Sequence, residues 1–204
     1  MAVITISREF ASGGRKFGRR LAKEFNYEYV DKSLFQKIAE DLNVSEKNLE
    51  SFEKSREFRI SNTFARLFSK DYIKRIVGHD KRVVEEQEYQ NSLKNLILET
   101  AKEDNVVIIG RVAYFFLKDM KNCYHIRLIA PVAWRKAYAV KNHKIPADRV
   151  ESILARRDTN SIWFRRLICG EGYDDPNYFH LILNMGLIPD EKALDMIKTL
   201  VNQP

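Results

Sequence analysis

Cysteine is scarce in this chain of 204 residues, which contains only Cys123 and Cys169, far apart in the sequence. Two distant cysteines argue against a disulfide framework or a cysteine metal site and favour reduced thiols, so we expect a cytoplasmic protein. No run of about 18 apolar residues occurs, so no membrane-spanning helix is expected. The N-terminus enters a predicted strand at once, so no signal peptide is expected either. The four histidines lack ligand spacing, and side chains alone predict no metal site.

What the chain does contain is typical of a globular protein: 45% of its residues are hydrophobic and 31% are charged. The length predicts one domain, residues 1–204, with room for insertions. The net charge is +7 at pH 7. This excess of positive charge favours an anionic ligand, either a nucleotide or a nucleic acid.

The first 25 residues predict a strand over Val3–Ser7, a loop with Gly13 and Gly14, and a helix over Arg15–Phe25. This arrangement directs the free N–H groups of the helix N-terminus out of the loop. Four cations crowd the first turns and repel the helix dipole: Arg15, Lys16, Arg19 and Arg20. A bound phosphate would relieve this repulsion, although a solvated basic helix face is the alternative.

The loop departs from the standard phosphate-binding sequence G-x-x-x-x-G-K-[ST]. When the two are aligned on the strand end, Arg8 occupies the position of the first glycine and Gly13 that of the second. Gly14 falls at the lysine position, followed by Arg15 and Lys16. The loop therefore predicts phosphate binding without the usual lysine.

Five short strands alternate with helices and predict a doubly wound α/β fold with a parallel sheet. The strands are predicted at Val3–Ser7, Tyr27–Val30, Val106–Ile109, Tyr124–Ala130 and His180–Asn184. A long helical block over residues 32–102 is predicted as an insertion, and a further helix is predicted over Pro146–Arg157. We expect a ligand beyond the carboxyl ends of the strands. The residues at those ends are Ser7, Arg8, Asp31, Gly110, Arg111, Ala130, Pro131 and Asn184.

Several of these segments resemble the cytidylate kinase-like family, within the P-loop nucleoside monophosphate kinases. The matching segments are Ile4–Arg15, Tyr29–Lys32, Val107–Arg111, Ala130–Pro131, Arg156–Asp158 and Leu183–Asn184. The resemblance implies a core sheet, a monophosphate-binding helical insertion over residues 32–102 and an arginine-bearing lid over residues 142–170. It also implies transfer of the γ-phosphoryl group of ATP to CMP or dCMP, with Mg²⁺.

The resemblance assigns roles to individual residues. It implies that the donor phosphates are held by Ser12, Gly13, Gly14, Arg15 and Lys16, and that Asn184 lies near the donor base. It implies that the acceptor nucleotide is bound by Asp31, Arg111 and Asp158. It implies that the transferring group is contacted by Arg15, Lys16, Arg156 and Arg157, with Arg165 and Arg166 as further lid residues. Phosphoryl transfer needs such charge neutralisation more than covalent chemistry.

The family uses a loop lysine and a following hydroxyl that binds Mg²⁺, whereas here Gly14 stands at the lysine position and is followed by Arg15 and Lys16. Ser7 or Ser12 would then have to supply the hydroxyl. Two other interpretations stay open: a nucleotide-binding protein of the same fold with little or no transfer, and a nucleic-acid-binding protein, which is the less expected. Bland interpretations also stay open, with Asp31 as a helix-start residue, the arginines near Arg156 as a solvated face, and Trp163 with Phe164 in the core.

Overall fold

The computed structural model describes residues 2–31 and 86–202, which form a five-stranded sheet with helices on both faces. The strands are β1 (Val3–Arg8), β2 (Glu28–Val30), β3 (Val106–Ile109), β4 (Cys123–Ile129) and β5 (Leu181–Asn184). Their order in the sheet is β2-β3-β1-β4-β5, and every neighbouring pair is parallel. The predicted α/β fold with a parallel sheet is therefore confirmed.

The helices, numbered here among the residues described, are α1 (Gly14–Phe25), α2 (Glu86–Lys102), α3 (Ala113–Phe116), α4 (Val132–His143), α5 (Val150–Cys169) and α6 (Asp190–Val201). None of them is long and apolar enough to cross a membrane. Of the predicted helical insertion, α2 is observed, while residues 32–85 lie outside the part of the chain that the structure describes.

The two faces of the sheet carry separate hydrophobic clusters, and alternate residues of each central strand point to each. In β3, Val106 and Ile108 pack with α2, whereas Val107 and Ile109 pack with α1 and α6. All four side chains are buried, which explains why the strand is apolar at every position. The carboxyl ends of the strands are consequently fixed between two packed layers, and the loops that follow them are held firmly at their bases.

The prediction of a helix over Pro146–Arg157 is wrong in its extent. Pro146–Arg149 forms a turn, in which the backbone N–H of Arg149 donates to the carbonyl of Pro146 at 3.0 Å. Helix α5 then runs from Val150 to Cys169 and ends before Gly170, which has φ +71°. Six consecutive polar residues, Arg156–Ser161, interrupt the apolar pattern in the middle of α5 although the helix continues.

The expectation that Trp163 and Phe164 both lie in the core is also wrong for the first residue. Trp163 is 64% exposed, whereas Phe164 packs against the cluster on the α2 face. The two are consecutive residues of α5, so they point about 100° apart around the helix and only one of them can face the sheet.

Candidate functional site

Arg8 is the last residue of β1, and its side chain passes between two glycines. A Cβ atom added at Gly14 would lie 3.0 Å from both Cβ and Cγ of Arg8. A Cβ atom added at Gly110 would lie 2.1 Å from Nη1 of Arg8 and 2.9 Å from its Cζ. The stem of Arg8 thus lies against the start of α1, and its guanidinium group lies against the end of β3.

The backbone beyond β3 turns sharply through three residues in the left-handed region: Gly110 (φ +76°), Arg111 (φ +55°) and Val112 (φ +58°). The N–H of Gly110 donates to the carbonyl of Ile6 in β1 at 2.9 Å, which fixes the start of the turn. Left-handed conformations are unfavourable for residues with a Cβ atom, and they cluster at functional sites. The turn keeps Arg111 next to Arg8, and the two cations interact electrostatically.

Asp31 follows β2 and is only 1% exposed. One of its oxygens, Oδ2, accepts a hydrogen bond from the hydroxyl of Tyr29 at 3.0 Å and lies 3.3 Å from Nε of Arg15. Burial, and after it the charge of Asp31 and this hydrogen bond, raise the pKa of Tyr29, so its hydroxyl stays protonated and donates. Asp31 is therefore a buried carboxylate in a hydrogen-bonded setting and more than a helix-start residue.

These groups make a cationic cluster at the carboxyl ends of β1, β2 and β3. Arg8, Arg15 and Arg111 supply three guanidinium groups, and Asp31 supplies one carboxylate. Burial, and next the charge of Arg15, lower the pKa of Arg8. An arrangement with excess positive charge in a partly desolvated setting is suited to bind phosphate oxygens.

The loop between β1 and α1 is held mainly by its own side chains. The hydroxyl of Ser12 is fully buried and donates to the carbonyl of Glu9 at 3.0 Å. A carboxylate oxygen of Glu9 accepts from the N–H of Ala130 at 3.0 Å, which ties the loop to the end of β4. Gly13 (φ +80°) is the N-cap of α1, and Lys16 is exposed on its first turn.

Helix α4 connects this loop to the predicted lid. Arg135 is 4% exposed, and its Nη1 donates to both carboxylate oxygens of Asp158 at 2.9 Å and to the carbonyl of Phe10 at 3.3 Å. Its Nε lies 3.5 Å from a carboxylate oxygen of Glu9. Asp158, which the resemblance places on the acceptor, thus anchors α5 to the loop in this structure.

The remaining predicted residues lie at varying distances from this cluster. Arg156 and Arg157 are exposed on α5, and the guanidinium of Arg157 lies 5.6 Å from the ring centroid of Phe10 in the loop. The side-chain oxygen of Asn184 accepts from the N–H of Gly186 at 3.1 Å and holds the turn after β5. Arg165 and Arg166 are grouped around Tyr173, away from the loop.

The match to known proteins covers nearly the whole chain, since residues 3–187 match the cytidylate kinase-like family. The chain belongs to the cytidylate kinase-like family. No curated protein sequence matches it. Among solved structures, it is similar to an uncharacterized protein from Eubacterium ventriosum, with 16% identity, a TM-score of 0.70 and complete coverage of both chains. It also resembles the shikimate kinase of Bacteroides thetaiotaomicron, with 14% identity, a TM-score of 0.54 and 99% coverage of each chain. These likenesses confirm the P-loop kinase type of fold.

Nucleotide triphosphate and Mg²⁺ use is general to this kinase-like family, and the residues present fit the two unequally. The cationic cluster and the start of α1 fit phosphate groups. The described loop offers few ligands to Mg²⁺, because the Ser12 hydroxyl donates to the carbonyl of Glu9, Ser7 is 6% exposed and Arg15 stands at the hydroxyl position of the motif. No group of three or more metal-ligating side chains occurs among residues 2–31 and 86–202. The described residues therefore fit phosphate groups but do not by themselves form a ligand set for Mg²⁺.

Three features of this family member escaped the sequence patterns. In the sequence, Arg8 is notable only because it replaces the first glycine of the standard phosphate-binding motif, and the alignment does not show the direction of its side chain. Arg135 is one arginine among many until the fold buries it. The rings of Trp134 and Tyr138 stack with their centroids 5.0 Å apart, and they lie beside Gly13. A Cβ atom added at Gly13 would be 3.6–3.7 Å from atoms of these rings. Their spacing of four residues on α4 is a detectable signal, but it predicts a helix face and no specific neighbour.

Proposed function

We propose that this protein transfers the γ-phosphoryl group of ATP to a nucleoside monophosphate, with CMP or dCMP as the first candidates. The observation that carries the proposal is the cationic cluster of Arg8, Arg15 and Arg111 around Asp31 at three neighbouring strand ends. Phosphoryl transfer depends mainly on positioning and on neutralising charge on phosphate oxygens, and guanidinium groups do both.

The proposed roles follow the position of each residue. The backbone of Gly13, Gly14 and Arg15 at the start of α1 would hold the donor phosphates, supported by Lys16 on the first turn. Asp31 and Arg111, beyond β2 and β3, would bind the acceptor nucleotide.

The lid residues have a separate role in this proposal. Arg156 and Arg157 are exposed on α5, which Asp158 anchors to the loop. Closure of this segment would bring their charges toward the transferring group and exclude water.

The test is ADP release from ATP and Mg²⁺ with a panel of acceptors. The panel contains CMP, dCMP, UMP, AMP and GMP, together with shikimate and gluconate, because similar folds occur in a shikimate kinase and a gluconokinase. We expect turnover with CMP or dCMP and a large rise in KM for that acceptor in Arg111→Gln. Lys121→Gln is the control, since Lys121 is an exposed cation just before β4, at the amino ends of the strands, and its loss should leave both constants unchanged. Absence of ADP release with every acceptor would contradict the proposal.

A second candidate is a nucleotide-binding protein of the same fold with little or no transfer. It is favoured by one observation, the Ser12 hydroxyl that donates to Glu9 in a loop without the lysine. Calorimetry would then show ATP binding with a measurable heat, while the same sample releases no ADP with any acceptor in the panel.

A further inference from the structure

We propose that Arg8 supplies the phosphate-binding cation that a lysine supplies in a standard phosphate-binding loop. This inference rests on the proposed function only in taking the anion to be a nucleotide polyphosphate. In this loop the positive charge is supplied by Arg8, the last residue of β1, and the lysine position of the motif is Gly14, the first residue of α1.

The first support is that Arg8 and a lysine at position 14 exclude each other. Because a Cβ atom at Gly14 would be 3.0 Å from both Cβ and Cγ of Arg8, a side chain there would displace the arginine stem. Conversely, the standard motif has glycine at the position of Arg8. There is room for only one long cationic side chain, from position 8 or from position 14. The arginine in place of the first glycine therefore compensates for the glycine in place of the lysine.

The second support is the space left at Gly110. The guanidinium of Arg8 lies so close to this residue that a Cβ atom would overlap it, at 2.1 Å from Nη1. This position directly precedes Arg111 at the end of β3, and the stem of the same Arg8 side chain lies against Gly14 at the start of α1. Gly110 thus holds the cation among the groups that would bind phosphate.

The third support is electrostatic. Arg8 is half-buried, and the acidic residue whose charge acts on it, Asp31, pairs with Arg15 at 3.3 Å. Its neighbours include two further arginines, Arg15 and Arg111, and Asp31 is the one acidic residue among the groups that affect it. A partly desolvated cation beside like charges gains most from a bound anion.

The test is a double-mutant cycle with inorganic tripolyphosphate as the probe, measured by calorimetry, with the melting temperature recorded for every variant. Arg8→Met keeps the length of the stem without the charge, and we expect it to melt near the wild-type temperature. Because a hydrogen bond to a charged group contributes about 1.5–3 kcal/mol, the affinity of Arg8→Met for tripolyphosphate should be about ten- to a hundredfold lower than that of the wild type. Arg8→Lys should recover part of this loss. Lys121→Met, which removes an exposed cation before β4 at the amino ends of the strands, should bind as the wild type does.

The other arm of the cycle rebuilds the standard loop. Gly14→Lys alone should lower both affinity and melting temperature, because its stem meets Arg8. Arg8→Gly with Gly14→Lys should recover most of the tripolyphosphate affinity that Arg8→Gly loses. Additive losses in the double variant, or wild-type affinity in Arg8→Met, would overturn the inference.

The same experiment separates this inference from the proposed function. If tripolyphosphate binding depends on Arg8 but no acceptor supports ADP release, the inference stands and the proposed function fails. If an acceptor is phosphorylated with the same kcat and KM for ATP in Arg8→Met, the proposed function stands and the inference fails. Wild-type protein that does not bind tripolyphosphate overturns the inference directly.

Discussion

At the scale of single residues, Gly110 combines two demands that only glycine meets. Its φ of +76° lies in the left-handed region, and a Cβ atom would overlap the guanidinium of Arg8. The first demand concerns backbone strain and the second concerns the position of a functional cation. The two can be separated because Gly170 has nearly the same φ, +71°, with nothing within 4 Å of its missing Cβ atom.

We expect Gly110→Ala to weaken tripolyphosphate binding at least tenfold, because the methyl group displaces Arg8. The backbone strain should cost about 1–2 kcal/mol of unfolding free energy in this variant. Gly170→Ala, at φ +71° and ψ −159°, should lose at least as much unfolding free energy and leave binding unchanged. Urea unfolding and calorimetry on both variants provide the measurement, and equal binding by the two would show that Gly110 serves the backbone alone.

His125 in β4 gives a prediction about pH. Its ring is 3% exposed, Nδ1 lies 2.8 Å from the hydroxyl of Thr5, and His180 packs beside it with ring centroids 5.3 Å apart. Burial, and next the nearby His180, lower the pKa of His125 to about 4, from the ordinary 6.5. The unfolded chain therefore takes up a proton on this residue at higher pH than the folded protein does.

The stabilising effect of neutral His125 is complete above pH 6.5 and is lost as the pH falls toward 4. The loss should be on the order of 2–3 kcal/mol of unfolding free energy. Urea unfolding at several pH values, compared between the wild type and His125→Gln, measures it, because the other titrating groups are shared. Parallel pH profiles for the two proteins would contradict the assignment.

At this scale the sequence predicts where the loop glycines and the nearby cations lie along the chain better than it predicts which groups they contact. The glycines at 13, 14 and 110 and the cations around them are visible as patterns. The direction of the Arg8 side chain is not, because it depends on the two strands that the fold places on either side of it. The Asp158 side chain illustrates the same limit, since the resemblance gives it a ligand and the structure gives it Arg135.

At the scale of the elements, Arg135 on α4 joins the loop after β1 to helix α5. We expect Arg135→Ala to cost about 3–5 kcal/mol of unfolding free energy, because the partly buried carboxylates of Glu9 and Asp158 lose their cation. Lys136→Ala is the matched control, since Lys136 makes the neighbouring contact to α5 with the exposed Glu151 and should change stability by less than about 1 kcal/mol.

Denaturant unfolding measures the stability of both variants, and hydrogen exchange locates the effect. Faster exchange confined to the loop and α5 in Arg135→Ala would identify the residue as a local link between them. Unchanged exchange in α5, with a stability close to that of the Lys136→Ala control, would be incompatible with this role.

The strands were predictable to within one residue at each end, whereas one helix was not. The strands β1, β3 and β5 are short, mainly apolar runs bounded by polar or turn residues, so their limits are visible in the sequence. Helix α5 has polar residues over much of its surface because it packs on the fold through few side chains, among them Leu154 and Ile168. Its length is set by Gly170 at its end, which hydrophobic periodicity alone does not reveal.

At the scale of the whole molecule, the order of the strands is what assembles the site. The sequence predicts parallel strands but not that β3 lies between β1 and β2. This order brings Arg8 and Asp31, 23 positions apart in the chain, to opposite sides of Gly110. Crossover connections over such distances depend on packing of the helices on both faces, so no local pattern encodes them.

The assembled site predicts where a nucleotide should protect the backbone. With a non-hydrolysable ATP analogue and Mg²⁺, hydrogen exchange should slow in the loop and first turn of α1, residues 9–17, and in the turn at residues 110–113. The face of α6 around Met196, on the far edge of the sheet beside β5, should exchange as it does without ligand, and serves as the internal control. A nucleic-acid-binding protein would behave differently, with protection by an oligonucleotide along the exposed arginines of α5 and a steep dependence on salt. Protection on α5 by the oligonucleotide, with none at residues 9–17 by the ATP analogue, would reverse the assignment of the ligand.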